Sequence, residues 1–220
     1  MGPIGVIFDM DGVLVDSYRP HLRSWSLLAA EAGKRVTEEQ FAATFGRTSR
    51  EILRDQFGVI DEREVRRMDD RKEELYRGLI RGRVPAMPGA LELIRALHSD
   101  GFRLGLGSSG PPENVTLVCD ELELRRFLSA IVTGADVHRG KPDPEVFLLT
   151  ASRMGVEPAS CAVVEDAPVG IKAARRAGMR SVGLVGTQPA EALAEADRVV
   201  QRLDELTPGT VRELLGRRTG

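Results

Sequence analysis

The stretch Gly5–Leu14 places two carboxylates, Asp9 and Asp11, at the end of an uninterrupted apolar segment. An apolar run this short, rich in β-branched and aromatic residues, is typical of a parallel strand that is covered on both faces. Gly12 follows, and there the chain can turn without the steric cost of a Cβ atom. Ligands of open α/β sheets bind just beyond the carboxyl ends of the strands. Both aspartates are therefore expected to face such a crevice.

Two acids that share a pocket repel each other, and the repulsion pushes one of them toward its neutral form. A divalent hard cation removes this conflict, and a ligand set made only of oxygens favours Mg²⁺. An isolated Asp-x-Asp pattern is structural about as often as it is catalytic, because aspartates after a strand also cap helices and occupy turns. The later motifs of the chain decide between these interpretations.

Composition and charge are those of an ordinary globular protein. The net charge of −2 and the mixed-sign arginine-rich segments give no sign of a nucleic-acid or membrane partner. Cys119 and Cys161 have no histidine or cysteine at metal-ligand spacing, so we expect two buried free thiols in a reducing compartment. A signal-peptide pattern and an apolar segment of membrane-spanning length are both missing from the sequence. We therefore expect a cytoplasmic protein, and a monomer, because a self-contained core needs no partner.

The order of helical and strand patterns predicts two domains. Residues 16–83 carry only helical patterns, including a capping-box sequence at Thr37–Gln40. From Pro85 onward helices and strands alternate, which implies right-handed crossovers and a doubly wound parallel sheet. The predicted fold is thus an α/β core of residues 1–15 and 84–220. The all-helical cap of residues 16–83 is inserted after the first strand and is expected to act as a lid.

Polar side chains follow three later strands of the predicted sheet. Ser108 and Ser109 come after an apolar strand and offer a hydroxyl and backbone N–H groups that suit phosphate oxygens. Lys141 precedes a proline, which orients its ammonium group. Glu165 and Asp166 end a buried strand just before a helix, and helix capping accounts for one of these acids only. Each feature alone is weak, since serine-rich turns usually cap helices and most lysines lie on the surface.

Together, these motifs resemble those of the haloacid dehalogenase superfamily of phosphohydrolases, over essentially the whole chain. The superfamily's first motif, D-x-D-G-x-[VL], matches Asp9–Leu14, and its second, a Ser or Thr after an apolar strand, matches Ser108. Its third matches Lys141 before Pro142, and its fourth matches Glu165–Asp166. The helical insertion is similar to the cap of the subgroup that contains β-phosphoglucomutase and phosphoglycolate phosphatase. The resemblance implies a Rossmann-like core and Mg²⁺-dependent hydrolysis of phosphate esters.

The resemblance also implies catalytic roles for three residues. Asp9 is implied to attack phosphorus and form an aspartyl-phosphate, and Asp11 to serve as general acid and then as general base. Lys141 is implied to stabilise the charge on the transferring phosphoryl oxygens. We expect Asp9 to keep an ordinary aspartate pKa, near ~3.9, and so to be ionised at neutral pH without a base.

The ligand sets implied by the resemblance draw on the same motifs. The phosphate-binding set adds the Ser108 side chain and two backbone N–H groups to the lysine: Met10, Ser108, Ser109 and Lys141. The metal set comprises four acids around Mg²⁺, the second of which is implied to use its main-chain carbonyl: Asp9, Asp11, Glu165 and Asp166.

Substrate selection is expected to lie in the cap, where His21, Arg47 and Lys72 are the candidate substrate-binding residues. His21 and Lys72 match positions in the cap of a phosphosugar mutase, although His21 is equally well interpreted as an ordinary helix-face residue. Phe45 and Ser49 stand where the mutase has Lys and Arg for a second phosphate. The sequence therefore predicts a phosphatase that acts on a sugar or polyol phosphate. A phosphosugar mutase is the alternative, and a dehalogenase or a non-catalytic phosphate-binding protein ranks lower.

Overall fold

The computed structural model describes residues 2–44 and 48–216. The chain divides into two compact units, one formed by Met1–Asp16 and Val84–Gly220 and the other by Ser17–Arg83. Within the described residues, no helix has both the length and the apolar character that crossing a membrane requires.

A six-stranded sheet forms the centre of the larger unit. All its neighbouring strands are parallel, and their order is β3-β2-β1-β4-β5-β6. The strands are β1 (Gly5–Phe8), β2 (Arg103–Gly107), β3 (Leu128–Val132), β4 (Cys161–Glu165), β5 (Arg180–Leu184) and β6 (Arg198–Val200). The chain winds outward in both directions from β1 and β4, so the predicted doubly wound sheet is confirmed. Ligands of such sheets bind where the strand order reverses, beyond the carboxyl ends of this central pair.

The smaller unit contains the helices α1 (Tyr18–Glu31), α2 (Glu38–Ala42), α3 (Ser49–Phe57) and α4 (Glu62–Ile80). The predicted capping box is present, because the Thr37 hydroxyl accepts from the Gln40 amide while the Gln40 side chain accepts from the Thr37 amide. Thr48 caps α3 in the same way. The helices bury a cluster of apolar side chains that includes Trp25, Leu53 and Val65.

Among its described residues, the larger unit also contains the α-helices α5 (Ala90–Ser99), α6 (Pro112–Glu121), α7 (Glu145–Met154), α8 (Pro168–Arg176) and α9 (Pro208–Gly216). Helix α7 packs closely on the sheet, because a Cβ at Gly105 would lie 2.5 Å from Sδ of Met154. Gly105 in β2 therefore leaves the space that the Met154 side chain of α7 occupies. Cys119 in α6 and Cys161 in β4 are both free and buried, as predicted.

Candidate active site

Four segments of the larger unit converge beyond the carboxyl ends of β1 and β4. The first, Asp9–Gly12, follows β1 directly, and the amide of Asp9 continues the sheet by donating to Val164 at 3.0 Å. The others are Ser108–Gly110 after β2, Lys141 ahead of α7, and Glu165–Asp166 at the end of β4. The parallel register aligns the central strands, since Phe8 pairs with both Leu106 and Val164. All four sequence motifs therefore reach the same edge of the sheet.

Lys141 connects the first and last motifs through two buried ion pairs. Its Nζ donates to Oδ1 of Asp9 at 2.7 Å and to Oε1 of Glu165 at 2.6 Å. The side chains of Lys141, Asp9 and Glu165 are only 7%, 10% and 2% exposed, so solvent screens these contacts little. The peptide bond between Lys141 and Pro142 is cis. Arg176 of α8 donates to the carbonyl oxygen of Pro142 at 3.0 Å and anchors this loop.

Glu165 holds both the lysine and the start of α8. Its Oε2 accepts from the backbone amides of Asp166 and Ala167, each at 2.8 Å. The helix leaves room for this side chain at Gly170, where a Cβ would lie 1.8 Å from Oε1 of Glu165. Glu165 is thus the acid that the start of the helix explains. Contacts with Lys141 and with the amides before α8 therefore account for Glu165 but not for Asp166.

The buried acids can hold a metal ion. Asp9, Glu165 and Asp166 each offer one carboxylate oxygen, and these three atoms lie within 4.8 Å of one another. When ionised, the three carboxylates carry one negative charge each, and Lys141 contributes one positive charge. A divalent cation would neutralise the remainder, and an all-oxygen donor set suits a hard cation. The residues present therefore fit a hard divalent metal ion.

Burial and crowding change the protonation of this cluster in the metal-free protein. Loss of hydration raises the pKa of Asp9 to about 7; Lys141 opposes the rise, whereas Glu165 and Asp11 add to it. The pKa of Asp166 is raised well above its ordinary value by burial and by its neighbours Glu165 and Asp9. Burial disfavours the charged form of Lys141, but Asp9 and Glu165 outweigh it and raise its pKa. The expectation of an ordinary pKa for Asp9 is therefore wrong for the metal-free protein, because desolvation dominates.

The serine motif lies beside the first motif. Ser108 is buried, its amide donates to Val132 at 3.0 Å, and its Oγ accepts from the amide of Gly110 at 3.0 Å. Ser109 is exposed. A Cβ at Gly110 would lie 3.6 Å from Cε of Met10 and 3.9 Å from Oδ2 of Asp11. The half-buried Asp11 carboxylate therefore borders the loop Ser108–Gly110. Among the described residues, Asp11 is not one of the three acids whose side-chain oxygens cluster.

Sequence reasoning missed Thr187, which follows β5. Its hydroxyl donates to Oδ2 of Asp166. The signal that could have identified it is the one used for the other motifs, a polar residue just after an apolar strand. Sequence reasoning also missed the close approach of Gly12 to Asp166, where a Cβ would lie 2.0 Å from Oδ2. Such an approach depends on packing rather than on any local pattern.

Two of the predicted substrate-binding residues contact each other within the helical unit. The Nζ of Lys72 lies 2.9 Å from Nδ1 of His21 and 2.8 Å from Oε1 of Glu73, and Lys72 is only 3% exposed. The imidazole ring of His21 stacks on Tyr76 with ring centroids 4.0 Å apart. Arg47 lies outside the described residues. A role in substrate binding stays a prediction for all three.

Known proteins resemble this chain in sequence and in fold. A model of the haloacid dehalogenase-like hydrolase family matches residues 5–178. Validoxylamine A 7'-phosphate phosphatase of Streptomyces hygroscopicus subsp. limoneus is 34% identical over 91% of this chain and 94% of its own length. A phosphorylated carbohydrates phosphatase of Thermotoga maritima is 31% identical over 96% and 99%, respectively. The crystal structure of a beta-phosphoglucomutase from Clostridium difficile superposes with a TM-score of 0.84 and 28% identity, covering 97% of both chains.

Proposed function

The chain belongs to the haloacid dehalogenase-like hydrolase family, and we propose that it is a phosphatase that requires Mg²⁺ and hydrolyses a small phosphorylated metabolite. The observation that carries this proposal is the buried cluster of Asp9, Lys141, Glu165 and Asp166 beyond β1 and β4. It combines a nucleophile, a fixed ammonium group and an excess of negative charge that a divalent cation balances. Hydrolysis of a phosphate ester through an aspartyl-phosphate intermediate uses each of these three features.

In the first step, a carboxylate oxygen of Asp9 forms a bond to phosphorus, and the bond from phosphorus to the ester oxygen of the substrate breaks. Asp11 lies in the same loop as Asp9 and donates a proton to that oxygen, so the product is released as a neutral alcohol. Lys141 has three N–H donors, of which two point to Asp9 and Glu165. The third would stabilise a phosphoryl oxygen in the transition state.

In the second step, Asp11 accepts a proton from a water molecule whose oxygen bonds to phosphorus. The bond between phosphorus and Asp9 then breaks, which releases inorganic phosphate and regenerates the carboxylate. The Ser108 side chain and the amide of Ser109, together with the amide of Met10 in the segment after β1, bind phosphoryl oxygens in both steps. Mg²⁺ held by Asp9, Asp166 and the main chain of Asp11 would offset the repulsion between the nucleophile and the anionic phosphate.

The proposed substrate class is a sugar or polyol phosphate. Two relatives, named a validoxylamine A 7'-phosphate phosphatase and a phosphorylated carbohydrates phosphatase, align over more than nine-tenths of this chain and support this choice. The proposed cap residues His21 and Lys72 would add hydrogen-bonding groups suited to hydroxyl-rich leaving groups.

The test is phosphate release by the purified protein from a panel of phosphorylated metabolites, with Mg²⁺ and with EDTA. We expect release only with Mg²⁺, strongest on sugar or polyol phosphates. The Asp9→Asn variant should fold normally and lose at least about 1,000-fold in rate, because the nucleophile is gone. Phosphate release that persists in Asp9→Asn, or in EDTA, would falsify the proposal.

A phosphosugar mutase is the second candidate, favoured by the similarity to a beta-phosphoglucomutase structure and by the His21–Lys72 contact. β-Glucose 1-phosphate separates the two functions. A phosphatase releases inorganic phosphate from it, whereas a mutase converts it to glucose 6-phosphate when a sugar bisphosphate is supplied. We expect release of phosphate without accumulation of glucose 6-phosphate.

A further inference from the structure

Thr187 contacts the buried acids from the loop after β5, a strand that is followed by none of the four motifs. It lies three residues beyond the end of β5, and its hydroxyl donates to Oδ2 of Asp166. Oγ1 of Thr187 also lies 3.3 Å from the main-chain carbonyl oxygen of Asp166. The loop is anchored to the sheet, because the amide of Val185 donates to the carbonyl of Val200 at 2.9 Å. Thr187 follows this anchored residue by two positions.

The methyl group of Thr187 lies close to the loop Asp9–Gly12, which carries the proposed nucleophile. A Cβ at Gly12 would lie 3.1 Å from Cγ2 of Thr187 as well as 2.0 Å from Oδ2 of Asp166. Three loops, which follow β1, β4 and β5, thus meet at the carboxylate of Asp166. The loop after β5 supplies the hydrogen-bond donor Thr187, and the loop after β1 supplies Gly12, which has no side chain to displace the carboxylate.

A terminal carboxylate torsion is broad, so packing alone defines the plane of an aspartate weakly. A hydroxyl that donates to one oxygen selects one orientation and leaves the second oxygen available. Outer hydrogen-bond partners of metal-binding carboxylates act in this way.

We propose that Thr187 is a positioning residue for the divalent metal ion: its hydroxyl holds the Asp166 carboxylate in the orientation that binds the metal. This inference rests on the proposed function, because it takes Asp166 as a metal ligand. Loss of such an outer partner typically weakens metal binding about 10–100-fold.

The experiment compares two variants that separate the hydroxyl from the methyl group. Thr187→Val keeps the shape and loses the hydroxyl, whereas Thr187→Ser keeps the hydroxyl and loses the methyl. Binding of Mn²⁺ to the full-length, substrate-free protein is followed by the electron paramagnetic resonance signal of the free ion. Mn²⁺ has the same charge and oxygen preference as Mg²⁺. The Mg²⁺ concentration that gives half-maximal phosphate release, and the melting temperature in EDTA, are measured on the same samples.

We expect Thr187→Val to weaken Mn²⁺ binding about 10–100-fold and to raise the Mg²⁺ requirement equally, with a melting temperature in EDTA near that of the wild type. Thr187→Ser should bind Mn²⁺ within about threefold of the wild type, since the orienting hydrogen bond is retained. If Thr187→Val does not fold, Thr187→Ala takes its place as the variant without a hydroxyl.

Wild-type Mn²⁺ affinity in the variant without a hydroxyl overturns the inference, and so does an equal loss in Thr187→Ser. The proposed function fails separately. If the wild type binds no Mn²⁺, or if Asp166→Asn binds it as well as the wild type does, the metal site itself is wrong whatever Thr187 does.

Discussion

Gly12 and Asp166 approach so closely that a Cβ at position 12 would lie 2.0 Å from Oδ2 of the carboxylate. Gly12 also adopts a φ of +76°, in the left-handed region that glycine occupies without steric cost. Two independent constraints therefore meet at one glycine. The backbone conformation of Gly12 turns the chain after Asp11. Because Gly12 has no side chain, the Asp166 carboxylate of the fourth motif can lie beside it.

We predict that Gly12→Ala abolishes metal-dependent activity. Gly178 provides a matched control, because it has a φ of +72° and open space where a Cβ would lie. Both variants should lose stability by about 1–2 kcal/mol through left-handed strain. Only Gly12→Ala should also lose the response to Mg²⁺, since the new methyl displaces the Asp166 carboxylate. Urea unfolding and phosphate-release assays measure the two effects, and equal activities in the two variants would contradict the prediction.

Gly170→Ala should disturb the acid that holds Lys141. The added Cβ would lie 1.8 Å from Oε1 of Glu165, so Glu165 must leave its position. We expect a loss of about 1–3 kcal/mol in unfolding free energy, because buried donors lose their acceptor. Gly78 in α4 is the control, since a Cβ there meets nothing within 4 Å. Gly78→Ala should be neutral or stabilising by about 0.5–1 kcal/mol. Denaturant titrations in which both substitutions behave alike would refute this account of Gly170.

Lys141→Met should destabilise the metal-free protein by about 3–5 kcal/mol, because it leaves buried carboxylates without their cation. Removing the charge of Asp9 as well should restore part of the loss. The double variant Asp9→Asn/Lys141→Met is therefore expected to be less destabilised than the sum of the single variants, by about 0.5–3 kcal/mol. Urea unfolding of all four proteins in EDTA completes the double-mutant cycle. Strict additivity would mean that the 2.7 Å contact contributes no coupling energy.

The metal-free protein should lose stability as the pH rises from about 4 to about 7. The pKa of Asp9 in the folded state is raised to about 7, so the fold favours the protonated acid. That contribution is fully present below the ordinary pKa of an aspartate and disappears as the pH rises through the folded-state value. Mg²⁺ favours the ionised form instead.

The increase in melting temperature on adding Mg²⁺ should therefore be larger at pH 7.5 than at pH 5. Differential scanning calorimetry in EDTA and in Mg²⁺ at the two pH values measures it. The Asp9→Asn variant is the control and should show a weaker pH dependence in EDTA. An equal effect of Mg²⁺ on the wild type at both pH values would show that Asp9 does not link metal binding to protonation.

Local patterns were sufficient to predict the elements and the edge of the sheet at which the site lies. The strand β1 is an apolar run, and the capping box at Thr37 forms. The four motifs meet because the carboxyl ends of parallel strands share one edge, which follows from the alternation of strands and helices.

Tertiary structure decided how the acids differ. From the sequence, Glu165 and Asp166 are two equivalent carboxylates, yet one binds Lys141 and the start of α8 while the other accepts from Thr187. The raised pKa of Asp9 and the room made by Gly170 likewise depend on atoms far away in the chain. Hydrophobic periodicity and turn chemistry act between near neighbours, so the sequence by itself determined the elements and their order. Desolvation, charge balance and steric fit arise only between packed elements, and these decided what each carboxylate can do.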